Sequence, residues 1–154
     1  MNAPTATKPS ILDRQAADVR IAPGSLLHRA LSIDAAASGA TGLALVAGAS
    51  PLAGPLGLPV PLLLGAGAMM LVWGVCLGWL RRQPRAPRGA LRLVVGLNLL
   101  WAADSLLLLV AGPVDPTAAG TAFVVAQAAA AAGFALAQHL GLRRARASDA
   151  RRAP

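Results

Sequence analysis

The chain has 154 residues, 56% of them hydrophobic and only 13% charged, whereas an ordinary soluble domain runs at about 45–50% and about 25%. That surplus of apolar surface excludes an ordinary soluble domain, and the surplus has to face lipid. A formal net charge of +8 would suit a phosphate-binding surface, but the basic residues flank apolar runs, as they do in loops kept on the cytoplasmic side of a membrane, so no nucleic acid is expected as a partner.

Taken in chain order, residues 1–25 carry Pro4, Pro9 and Pro23 among mixed charges (Lys8, Asp13, Arg14, Asp18, Arg20). They read as a polar tail that buries too little surface to fold. Four apolar runs follow, at 30–49, 60–80, 90–111 and 118–140, each near the ~20 residues that a helix needs to cross a ~30 Å hydrocarbon core. A basic tail, 143–154, closes the chain. The expected fold is therefore all-α, with a four-helix transmembrane domain over 26–142.

The connections set the orientation. Arg81, Arg82, Arg85, Arg88 and Arg92 crowd the middle one, while SPLAGPLGLP and AGPVDPT hold no basic residue. If both termini and the loop at 81–89 are cytoplasmic, every Lys and Arg falls on one side, which is the arrangement that the positive-inside rule selects. The two far loops are short and rich in Pro and Gly, so successive spans are expected as antiparallel neighbours in an up-down bundle. VAGAS at 46–50 looks like a small-residue cleavage site behind a signal peptide. Asp34 inside the apolar run and Pro51 just behind the cut argue against it.

Sliding the chain by 64 residues lays DAAASGATGLALVAG (34–48) over NLLWAADSLLLLVAG (98–112), pairing Asp34 with Asn98 and Thr41 with Ser105. The pattern predicts two similar hairpins related by an axis along the membrane normal, a parallel class of repeat. Asp34 and Asn98 would then sit at equivalent depths and meet near that axis.

In the third span Asn98, Trp101, Asp104 and Ser105 recur at helical spacing and share about one face, expected to point into the bundle. A carboxylate at mid-membrane costs ~2.5–3.5 kcal/mol on insertion scales, so an aspartate there is expected to be paired, hydrated or protonated. Candidate partners of Asp104 are Ser105, Thr41, Thr121 and Gln127, all able to hydrogen-bond a carboxyl group. Two readings follow. These groups are interhelical staples, or they form a polar track for protons or a ligand, running from Asp104 through Gln127 and Asn98 to Asp34.

Small residues at i, i+4 spacing let helix backbones approach: Ser38 and Gly42, Gly74 and Gly78, and Ala129, Gly133 and Ala137. Such faces pack the bundle itself or, where left over, a homodimer. Trp73 and Trp101 lie at mid-depth, as core residues or as an aromatic wall for an apolar ligand, and Trp79 beside Arg81 is an interfacial anchor. His28 and His139 are too few to make a metal or haem site. The single cysteine, Cys76, lies in an apolar run and rules out an intramolecular disulfide. No metal and no cofactor is expected, and no nucleophile with its base suggests an enzyme.

DAAASG, PLAGPLGLP, NLLWAADS and QAAAAAGFALAQHLGLRR, spread over about residues 25–144, resemble a group of small bacterial four-helix integral membrane proteins of unknown function. The resemblance implies fold and location, a multi-pass protein of the bacterial inner membrane, and it carries no activity. Two roles are open on this reading. One is a structural or accessory membrane subunit whose basic tail meets anionic lipid headgroups or an acidic partner protein. The other is a small proton-coupled transporter or permease using Asp104 and Asp34.

Overall fold

A computed structural model describes residues 18–112 and 114–151. Five helices account for most of them: α1 (Leu26–Ala47), α2 (Ala49–Leu56), α3 (Val60–Leu80), α4 (Arg88–Ala111) and α5 (Ala118–Ala150). All but α2 are long and apolar enough to cross a membrane. Two three-residue strands, β1 (Asp18–Arg20) and β2 (Arg85–Pro87), pair antiparallel with Val19 opposite Ala86.

Local chemistry explains where the elements begin. Ser25 caps α1, its hydroxyl accepting the His28 N–H at 3.2 Å, so the helix starts four residues before the apolar run at 30–49. Thr117 caps α5 in the same way, accepting from the Gly120 N–H at 3.1 Å. The SPLAGPLGLP segment, expected to be a loop, instead forms α2. Its Pro51 falls in the first turn, where a missing N–H costs nothing. Pro55 falls near the end, and Gly57 then reverses the chain at φ 63°, a backbone shape that disfavours any side chain. A Cβ there would also stand 2.7 Å from the Thr117 nitrogen, so only glycine fits where the two far connections touch. Thr117 fastens that contact, donating its hydroxyl to the Pro55 carbonyl at 2.6 Å and its N–H to Leu56.

The first expected tail needs correction. Residues 18–25 of it are folded, because Val19 and Ile21 are apolar alternate positions that the ribbon turns into a core beneath Leu27, Leu31, Leu77, Leu80, Leu91 and Leu142. The rest of that tail, 1–17, lies outside the described residues. At the other terminus α5 continues without a break through 143–150, and the Asp149 carboxylate accepts the Arg20 N–H at 3.4 Å.

Helix packing is uneven around the bundle. α1 packs along α3 and also against α5, and α5 packs along α4, while α3 and α4 are not among the packed pairs. Backbones approach closely between α1 and α3. A Cβ on Gly42 would lie 2.7 Å from the Gly67 carbonyl oxygen, and one on Gly67 would lie 2.9 Å from that of Gly42. Two apolar clusters close the ends. One is the ribbon-end core, and the other gathers Leu45, Ala49, Leu58, Leu63, Met70 and Val124 with Trp101 and Leu109. Between the clusters, α3 and α4 stand apart.

Candidate functional site

Four polar side chains are buried at mid-height: Asp34, Ser38, Asn98 and Gln138. Asp34 and Ser38 are one turn apart on the inner stripe of α1, which also carries Leu31, Gly42 and Leu45. Asn98 stands on the inner stripe of α4 with Leu91, Val94 and Ala102. Gln138 ends a run of small buried residues on α5, Ala128, Ala131 and Ala135. Each helix thus brings its polar group inward on the face that packs.

The groups close on one carboxylate. Asn98 Nδ2 and Gln138 Nε2 both donate to Asp34 Oδ2 at 2.7 Å, and Ser38 Oγ donates to Oδ1 at 3.0 Å. Asn98 Nδ2 also donates to Gln138 Oε1 at 3.1 Å. Three helices are joined in this way, with every nitrogen and oxygen of the quartet's side chains other than Asn98 Oδ1 in a bond that the geometry supports. Asp34 and Asn98, which a shift of 64 residues aligns, are therefore direct hydrogen-bond partners. Gln138 was not singled out from the sequence, where Gln127 was chosen instead. Its position three residues beyond Ala135 on the Ala stripe was the available signal. The same shift places Gly74 where the second half has Gln138, and Gly74 packs its backbone against Ala35, so only one half contributes an amide.

The second constellation is a cleft of about 500 Å³ between α3 and α4. α1 and α5 form its floor, where Asp34, Ser38, Asn98 and Thr41 reach its surface, and Trp73, Trp101, Met69, Met70 and Phe134 form its apolar walls. An adjoining hollow of about 320 Å³ extends toward the α2 end and shares Met69, Met70, Trp101, Asp104 and Gln127 with it. Asp104 therefore borders both. Trp73 and Trp101 are half-buried on facing helices of this cleft, whereas Trp79 is 64% exposed.

Several sequence expectations change here. The α4 face of Asn98, Trp101, Asp104 and Ser105 does not turn inward as a unit, because Asn98 is buried while Asp104, six residues on, is exposed. At 3.6 residues per turn six residues rotate the helix well past one face. Ser105 Oγ donates to the Trp101 carbonyl of its own helix at 2.7 Å, and Thr121 is exposed outside the cleft. Among the described residues no hydrogen bond links Asp104 or Gln127 to the quartet, so the polar track from Asp104 to Asp34 is not continuous. Ala129 and Gly133 also face outward, and a Cβ on Gly133 would meet nothing within 4 Å. The small residues buried on α5 are Gly120, Ala128, Ala131, Ala135 and Gly141.

Among the described residues no group of three or more His, Cys, Asp or Glu side chains is placed to hold a metal ion. No protein-family model matches the chain, nor does any curated protein or solved structure.

Proposed function

We propose that this chain is a multi-pass protein of the bacterial inner membrane with both termini in the cytoplasm, its spans arranged as two similar hairpins in an up-down bundle, and that it serves as a structural or accessory membrane subunit without enzymatic activity. The observation that carries this reading is the quartet on Asp34. A carboxylate that accepts hydrogen bonds from Ser38 on its own helix and from Asn98 and Gln138 on two others is suited to fixing helices in place. Orientation rests on charge: Arg81, Arg82, Arg85, Arg88, Arg92 and the Arg-rich end of α5 all belong to the ribbon end of the bundle, the end that anionic headgroups on the cytoplasmic leaflet would attract.

Extraction of the full chain from its native membranes in mild detergent tests the role. Co-migration with a larger assembly on a native gel, lost in Asp34→Leu, is the expected result. A chain that migrates alone or as a homodimer, and that carries a pH-gradient-driven flux in proteoliposomes, would favour a small transporter instead. That second reading has its own support in Asp104, an exposed acid bordering a membrane-depth cleft.

A further inference from the structure

The cleft between α3 and α4 has a property that the quartet does not require. Its volume of about 500 Å³ lies within the range of about 300–1,000 Å³ typical of small-molecule sites. It does not run the length of the helices. At the ribbon end Leu77, Leu80, Leu91 and Val94 share one apolar cluster and bound it, while toward α2 it continues into the hollow of about 320 Å³. A partner's transmembrane helix would need a groove open along the bundle.

Charge then narrows the occupant. Asp104 is exposed where it borders the cleft and has no hydrogen-bond donor or cation among the described residues. No Lys or Arg lines the cleft, and Arg92, the last cation before Asp104 on α4, stands about 18 Å back along the helix at ~1.5 Å per residue. Asp34 adds a second acid to the floor. An anion would meet no positive side chain there, and a lipid acyl chain would leave Asp104 without a counter-charge in an apolar medium, where lone acids are costly. The indole faces of Trp73 and Trp101 attract cations as well as apolar surface, and Met69 and Met70 adapt to irregular shapes.

We propose that this cleft binds a lipophilic organic cation, its positive charge set against the Asp104 carboxylate and its apolar body held against Trp73 and Trp101. The site rests on the membrane-spanning reading and is independent of whether the chain is an accessory subunit.

The test uses the full chain in lipid nanodiscs, with tetraphenylphosphonium as probe and tetraphenylborate, an anion of the same shape, as its control. Cys76 lines the cleft and is the protein's single cysteine, so maleimide labelling reports occupancy alongside equilibrium dialysis. Circular dichroism and nanodisc incorporation are read first, so that failure of membrane insertion is distinguished from failure of the site. The expected result is saturable binding of the phosphonium, slower Cys76 labelling in its presence, little binding of the borate, and at least tenfold weaker phosphonium binding in Asp104→Asn. Because Asp104 has no hydrogen-bond partner among the described residues, that variant should incorporate and fold as the parent does. Equal binding of both probes, or undiminished binding in Asp104→Asn, would overturn the proposal in favour of simple partitioning. Cys76 unreactive before any probe is added, together with a dimer by native mass measurement, would assign the cleft to a second copy of the chain and overturn it too.

Discussion

Asp34 and Asp104 are both acids on long apolar helices, yet Asp34 is 1% exposed and accepts hydrogen bonds from three side chains, while Asp104 borders a cleft and is exposed. The helices around them differ in the same way. Where α1, α4 and α5 surround Asp34 they pack through small residues and meet amide to carboxylate. Beside Asp104, α3 and α4 leave a gap flanked by tryptophan and methionine. On the membrane-spanning reading proposed above, apolar side chains have no reason to prefer one another, and polar satisfaction and backbone approach decide which helices touch. The Asp34 side of the bundle has both, and the Asp104 side has neither.

Substitutions should separate the two sides, beginning with the most damaging. Asp34→Leu removes the acceptor shared by Asn98 and Gln138, and at roughly 1–3 kcal/mol for each buried group left without a partner it should be the largest loss, seen as a lowered unfolding midpoint in detergent. Asp34→Asn sharpens that result. Its carbonyl still accepts from both amides and its NH₂ still meets the Ser38 hydroxyl, so it should lose much less than Asp34→Leu. Gly67→Leu comes next, because the α1 backbone at Gly42 leaves no room for a side chain, and overpacking of this kind costs about 1–3 kcal/mol. The same unfolding assay should show it separating α1 from α3. Gln138→Leu removes one of the donors to Asp34 Oδ2 and should cost about 0.6–1.7 kcal/mol, the range of interhelical hydrogen bonds in membranes. Asp104→Asn should leave stability within about 0.5 kcal/mol, and a larger loss would show that Asp104 is a tie like Asp34.

The long helices were legible because they are continuous apolar runs: 60–80 coincides with α3, and α4 and α5 begin within two residues of the runs read as spans. The ribbon was not legible, since three-residue strands carry no periodicity and Arg85, Ala86 and Pro87 read as loop. α2 was hidden by its prolines, which mark breaks in most contexts but are tolerated in a first turn, as Pro51 is. The Asp34–Asn98 pair was visible when the chain is laid over itself at a shift of 64 residues. Gln138 was missed because its repeat counterpart is Gly74, so the repeat holds no polar pair there. Which side of α4 Asp104 faces was also beyond the pattern. When almost every residue is apolar, hydrophobic periodicity does not distinguish a face toward the bundle from one toward a cleft.

The tie between α1 and α4 rests on the hydrogen bond from Asn98 to Asp34. It is tested most directly by a double-mutant cycle of Asp34→Leu and Asn98→Leu, with reversible unfolding in micelles as the readout. The account predicts that the double variant loses clearly less stability than the two single losses added together, because the second change removes a group that the first has already orphaned. Losses that simply add would mean that the two residues do not act on one another, and would contradict it.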